Sequence, residues 1–224
     1  SMTWYDDSII YWVKEPLMLY NFLLTFIRFI FRLINGREVV QGLENLPKDQ
    51  PYIIAATHRS LTDPLFVAFE TYPHQIAFMA KESLFKFKPL GWLFRKVNVF
   101  PVNRDKPSTS TIKHAVKIMN EDGKILGIFP SGSRHTTEIK GGTAFIQKLS
   151  KQAIVPCAIQ PPIGFKQFFL RRRCKIAFGA PIPYQEGVKY DKDKLAQIDA
   201  QLAEEFAKLD HQLDSNYHYQ PRKK

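Results

Sequence analysis

From Glu38 onward the chain alternates short apolar runs with stretches whose apolar residues recur every three or four positions. The runs 39–41, 52–56, 76–80, 97–102, 125–129, 154–159 and 175–178 have strand length and predict strands. Helical patterns lie between them at 65–71, 110–120 and 142–150. In the second, Ile112, Val116 and Met119 share one face, and Glu121-Asp122-Gly123 ends it with a glycine suited to a left-handed cap. Residues 191–213 predict a closing helix with Leu195, Ile198, Leu202, Phe206, Leu209 and Leu213 down one side, a packing stripe. Alternation of this kind predicts an α/β domain, a largely parallel sheet flanked by helices, with ligands bound beyond the strand ends.

The pattern before Glu38 is different. Residues 17–34 are almost entirely apolar, and the polar members Asn21, Thr25, Arg28 and Arg32 fall on one helical stripe. At about 1.5 Å per residue the stretch could just cross a bilayer core of about 30 Å. Two arginines oppose a lone span, at about 2.5–3.5 kcal/mol each if placed centrally. Upstream, Trp4, Tyr5, Tyr11 and Trp12 are the amphipathic rings found at membrane interfaces. The expectation is therefore a membrane-associating segment over 1–36, lying in or partly inserted into one leaflet, ahead of a domain over 37–224. A core helix and a true span are the alternatives; in a span, Arg28, Arg32 and Arg37 would leave the following domain in the cytoplasm. The basic start and small-residue cleavage site of a signal peptide are missing.

Composition narrows the function classes. With 45% hydrophobic and 13% aromatic residues, the 224-residue chain is a folded protein of one domain plus an appendage. Lys and Arg number 32 against 21 Asp and Glu, a net charge of +11. That charge suits nucleic acid, an anionic membrane or a phosphorylated substrate. No helix-turn-helix, zinc-finger or RNA-recognition signature accompanies it, which argues against nucleic acid. Cys157 and Cys174 have no C-x-x-C spacing, so neither a disulfide framework nor a zinc site is expected.

Candidate chemistry gathers where strands end. Tyr52 to Ala56 runs into Thr57-His58-Arg59-Ser60-Leu61-Thr62-Asp63-Pro64, after which a helix begins with Pro64 in its first turn. On one continuous helix, five residues would turn His58 and Asp63 about 140° apart. Only a loop folding back joins them, and Asp63 would then hold one ring nitrogen and leave the other as a base. A structural histidine beside a capping aspartate is the plainer reading. Three more exits carry polar groups: Lys81-Glu82, Asn103-Arg104, and Pro130-Ser131-Gly132-Ser133-Arg134-His135. In a parallel sheet these would meet at one edge, and arginine there suits phosphate because its planar fork donates two hydrogen bonds. Basic and apolar residues also interleave over 85–96 and 168–173, as an anionic bilayer surface would attract.

These blocks resemble the glycerolipid acyltransferases, and among them the bacterial lysophosphatidic acid acyltransferases. His58 to Asp63 resembles their H-x-x-x-x-D block. Residues 97–104 are similar to the second block, which ends in arginine. Residues 129–134 are similar to the third, usually F-P-E-G-T-R, and Ile154-Val155-Pro156 to the fourth. The four stand in the family's order over 39–180. Ser131 replaces the family's usual Glu, and Asn103 stands where Asp is common.

The resemblance implies transfer of a fatty acyl group from an acyl thioester to the free sn-2 hydroxyl of lysophosphatidic acid, giving phosphatidic acid. The donor would be acyl-acyl carrier protein (acyl-ACP) or acyl-coenzyme A (acyl-CoA), with no bound cofactor and no metal. His58 would be the base and Asp63 its orienter. Arg104 and Arg134 would hold the acceptor phosphate, with Lys81 as a further candidate and Ser131, Gly132 and Ser133 lining the pocket. The implied partners are a lysophospholipid, an anionic membrane surface and the acyl carrier protein or coenzyme A thioester. The implied location is the cytoplasmic face of the cell membrane, peripheral or monotopic. Another lysolipid acceptor, transacylation, and noncatalytic lipid or nucleic-acid binding are the alternatives.

Overall fold

The computed structural model describes residues 7–103 and 108–221, with side chains from Met18 onward. Trp4, Tyr5 and Arg104 lie outside the described residues, as do the side chains of Tyr11 and Trp12. Seven strands form one sheet: β1 (Val39–Gln41), β2 (Ile53–Ala56), β3 (Ile76–Lys81), β4 (Val99–Val102), β5 (Ile125–Ile128), β6 (Ile154–Gln160) and β7 (Lys175–Phe178), in the spatial order β1-β7-β6-β2-β5-β3-β4. The five strands β6, β2, β5, β3 and β4 are mutually parallel, while β7 runs antiparallel to β6 and carries β1 parallel to itself. The strands thus fall where the apolar runs predict them. The exception is the start of β4, because Val97 closes the preceding helix and Asn98 is left-handed at φ 61°.

The central strand β2 is buried throughout, as a continuous apolar run covered on both faces should be. Its alternate residues feed two cores. Ile54 and Ala56 join Phe66 and Phe69 of α2 (Asp63–Thr71) and Tyr20 and Leu24 of α1 (Asp7–Asn35). Ile53 and Ala55 join residues of α4 (Thr109–Asn120), α5 (Gly142–Ser150) and α7 (Lys192–Leu213). The result is a helix–sheet–helix sandwich with the predicted stripe of α7 turned inward. Two helices were not foreseen: α3 (Lys88–Lys96) and α6 (Gly164–Phe169).

Helix α1 packs beside α2, α3 and α6. Arg32 donates through Nε and a terminal nitrogen to Glu38 at 2.9 Å, and both Arg28 and Arg32 pair with Glu70 at 3.7 and 3.6 Å. Asn35 donates to the carbonyls of Phe168 and Arg172. The opposite face, Met18, Phe22, Phe26, Phe29 and Leu33, is 54–70% exposed. Of the predicted polar stripe only Thr25 faces outward.

Candidate active site

Because β2, β5, β3 and β4 are parallel neighbours, the loops that leave them emerge at one edge of the sheet. The loop after β2 is folded back by its own short polar side chains. Ser60 Oγ accepts from the Thr62 amide at 3.3 Å and bonds Thr62 Oγ1 at 3.0 Å. Asp63, fully buried, accepts at Oδ2 from the Arg59 amide (2.6 Å) and the Ser60 amide (2.7 Å). Such local side-chain bonds offer the backbone an alternative to continuing a strand or starting a helix early. The same Oδ2 lies 3.0 Å from His58 Nδ1. With Nδ1–H donating to the carboxylate, Nε2 is left as an acceptor. Thr57, at the loop's entry, accepts at Oγ1 from the Ile159 amide and ties the loop to β6.

The imidazole is also held by its face. Phe129 stacks on it with centroids 4.3 Å apart, and Phe78 stacks on Phe129 at 5.8 Å. Gly127 makes room for that row: a Cβ there would stand 2.2 Å from the Phe78 ring.

His58 borders two cavities. The first, about 390 Å³, is lined mainly by apolar residues of β3, β4, β5, α4 and α5, including Met79, Val102, Ile112, Phe145 and Ile146, with Gly132 and Lys140 as well. The second, about 290 Å³, lies across the Pro130-Ser131 turn and is bounded by Arg59, Asp210 and Tyr219. An alcohol brought to Nε2 could lose its proton there while an acyl chain occupied the apolar cavity.

The other predicted residues are distributed around this centre. Ser131 is buried, and its hydroxyl donates to the Ser133 carbonyl at 2.8 Å, so it is spent on its own turn. Gly132 takes φ 67°, a conformation only glycine adopts freely, and lines the first cavity. Ser133 Oγ accepts from the His135 amide. Arg134 is half-buried, and its carbonyl accepts from Tyr219 Oη at 2.8 Å. Lys81 is exposed at the end of β3 and borders neither cavity. Among the described residues no group of three or more His, Cys, Asp or Glu could hold a metal ion.

Sequence reasoning missed the surroundings of Arg59. This residue is 5% exposed and donates to the Ile159 carbonyl at 2.6 Å, while its guanidinium grips both carboxylate oxygens of Asp210. The rings of Tyr217 and Tyr219 lie against it at 5.0 and 5.3 Å. Burial lowers and the Asp210 carboxylate raises the Arg59 pKa, with a net shift upward. Burial also pushes the Tyr217 hydroxyl to about 12. Phe129 and Lys140 were missed as well. Phe129 directly precedes the Pro130 turn, a signal that was available.

Comparisons with known proteins identify the family. The sequence model of the family described as "Acyltransferase" matches residues 37–160. A 1-acyl-sn-glycerol-3-phosphate acyltransferase of Streptococcus pneumoniae is 34% identical over 199 residues, covering 88% of this chain and 75% of that protein. The enzyme of the same name from Bacillus subtilis is also 34% identical over 199 residues, covering 88% of this chain and 99% of its own length. The crystal structure of the 1-acyl-sn-glycerophosphate (LPA) acyltransferase PlsC from Thermotoga maritima superposes with a TM-score of 0.69 at 18% identity, over 92% of this chain and 84% of that one. That superposition speaks for the fold alone. Matched by the family model along the segment that carries both His58 and Arg134, and a third identical to two such enzymes, the chain belongs to the acyltransferase family and is of the 1-acylglycerol-3-phosphate O-acyltransferase type.

Proposed function

We propose that the protein transfers a fatty acyl group from an acyl thioester to the sn-2 hydroxyl of lysophosphatidic acid, giving phosphatidic acid at a membrane surface. The observation that carries this reading is the His58–Asp63 pair at the mouth of an apolar cavity. His58 Nε2 removes the proton of the acceptor hydroxyl as its oxygen attacks the thioester carbonyl carbon. The tetrahedral intermediate collapses with cleavage of the C–S bond, and the imidazolium returns its proton to the leaving thiolate. The acceptor hydroxyl takes the part a serine plays in a hydrolase triad, so no acyl-enzyme forms. Arg104 and Arg134 hold the acceptor phosphate, with Lys81 as a further cation at the same sheet edge, and Ser131, Gly132 and Ser133 shape the turn beside it. The apolar cavity suits the acyl chain, and either acyl-ACP or acyl-CoA serves as donor.

The membrane reading is supported by the outward face of α1, continued by exposed Phe87, Trp92 and Leu93 on and beside α3 and by Phe165, Phe169 and Leu170 on and beside α6. Exposed apolar residues gathered on three helices that pack side by side mark an interaction surface. Lys86, Lys88, Arg95 and Lys96 lie on or beside α3 and Arg171 to Arg173 follow α6, and each basic residue near an anionic bilayer contributes about 1 kcal/mol. In our reading the protein is a peripheral or monotopic enzyme of the cytoplasmic face of the cell membrane.

The test is turnover in vesicles containing lysophosphatidic acid, with a labelled acyl thioester. His58→Ala should lose about 10²–10⁴-fold in kcat; a variant as fast as the parent would remove the base from the mechanism. A second acceptor class is favoured by Ser131, whose hydroxyl turns into its own loop where the family's carboxylate usually stands. Product masses from a panel of lysolipids decide between the two.

A further inference from the structure

Arg59 directly follows the base, yet its guanidinium is engaged by other parts of the protein. Both of its oxygen partners lie far along the chain: Ile159 at the end of β6 and Asp210 in the last turns of α7. Gln160 Nε2 donates to the Asp210 carbonyl at 3.0 Å and to its Oδ1 at 3.2 Å, fixing the carboxylate from a second side. Beyond α7 the chain turns back, and Tyr217 and Tyr219 lay their rings against the same guanidinium. Tyr219 then reaches onward, its hydroxyl donating to the Arg134 carbonyl. A buried ion pair is a poor source of net stability, because desolvation offsets its attraction. The best-attested use of such a pair is to set register between the elements it joins.

We propose that residues 214–221 form a positioning strap across the active site, in which Tyr219 holds the Arg134 turn in register with the His58 loop. The rings of Tyr217 and Tyr219 anchor the strap on Arg59, next to the base. The Tyr219 hydroxyl fixes the main chain of Arg134, so that the phosphate-binding guanidinium starts from a set backbone position. Tyr219 acts through Arg134 and is a positioning residue. The second cavity, bounded by His58, Arg59, Ser131, Asp210 and Tyr219, is the space between the strap and the two loops it joins. This inference rests on the reading of Arg134 as a ligand of the acceptor phosphate.

The experiment is a double-mutant cycle on acceptor kinetics in vesicles, using Tyr219→Phe, Arg134→Ala and the pair. Tyr219→Phe keeps the ring against Arg59 and deletes only the hydroxyl. It should raise the KM for lysophosphatidic acid about 3- to 10-fold, the size of one hydrogen bond, with kcat held within about twofold. In the Arg134→Ala background the same change should add nothing. A parental KM in Tyr219→Phe, a loss in kcat alone, or an equal rise in both backgrounds overturns the strap. If Arg134→Ala itself keeps the parental KM, the acceptor reading of Arg134 fails, and the strap fails with it. Loss of acceptor binding in Arg134→Ala beside a silent Tyr219→Phe defeats the strap and leaves that reading standing. Thermal midpoints of the three variants, measured alongside, separate lost binding from lost fold.

Discussion

Helices α1 and α7 are the two longest among the described residues, both amphipathic, and they meet the domain by faces of different composition. Helix α7 follows the ordinary arrangement: Ile198, Leu202, Leu209 and Leu213 are buried, and Lys192, Asp193, Glu204 and Lys208 face water, while Asp210 turns in to Arg59. Helix α1 attaches through a mixed face, with Tyr20, Leu24, Ile27 and Phe31 on the core and Arg28 and Arg32 meeting Glu70 and Glu38, while a row of phenylalanines looks outward. For α7 the hydrophobic effect supplies the attachment. For α1 a second row of apolar side chains stays exposed, and ion pairs together with Tyr20, Leu24, Ile27 and Phe31 hold the helix to the sheet. An amphipathic pattern therefore states that a helix has two media to face, and only the partners of its polar residues say which medium is protein.

The sharpest way to break the comparison is to exchange the kinds of lesion. Arg32→Leu leaves the fully buried Glu38 carboxylate without its main partner, and removing one member of a buried pair costs about 3–5 kcal/mol. Leu202→Ala in α7 opens a cavity in a fully buried site and should cost about 3 kcal/mol. Urea unfolding of both variants, in detergent to cover the outer face of α1, reads the two losses. An Arg32→Leu variant as stable as the parent would mean that α1 is held by its apolar residues after all, like α7. The outer face predicts the reverse pattern. Phe22→Ser, Phe26→Ser and Phe29→Ser together should change unfolding by no more than about 0.5 kcal/mol each, as exposed positions do. Their effect should appear instead as release from anionic vesicles in a sedimentation assay, and retention on vesicles would remove α1 from the membrane reading.

What the sequence reveals divides along the same line. The seven strands and α7 are legible because inward-facing apolar residues repeat with the period of the element that carries them. Helices α3 and α6 escape that test because Phe87, Trp92, Leu93, Phe165, Phe169 and Leu170 face outward, so their apolar residues do not mark a core side. The antiparallel turn of β7 is likewise a tertiary choice that no local pattern encodes. At the site, the His58–Asp63 approach is legible because the partners are five residues apart in one loop. Arg59 and Asp210 are 151 residues apart, and neither neighbourhood signals the other. The Phe129 stack depends on Gly127 and Phe78 from two strands, a packing fact visible only in space. Lys81 stands on the expected edge but away from both cavities, because a strand-end position sets the edge and not the direction of a long side chain.

The smallest effect tests how dry the polar attachment of α1 is. Burial raises the Glu70 carboxyl above its ordinary value of 4.5, and the neighbouring Glu38 adds to this against the opposing pull of Arg28, Arg32 and Arg37. The folded protein thus holds this proton more tightly than the unfolded chain. Just above pH 4.5 the folded state binds more protons, so stability from this group is present below 4.5 and is lost as pH rises through the raised value. Glu70→Gln cannot titrate, and its unfolding free energy should fall less steeply with pH across that window than the parent's. Groups elsewhere cancel in the difference, which isolates residue 70. Parallel pH profiles would mean that water reaches the carboxylate and that the α1 seam is an ordinary surface ion cluster. A shallower profile for Glu70→Gln means the seam is desolvated, which is what lets two arginines on an apolar helix specify a single docking geometry.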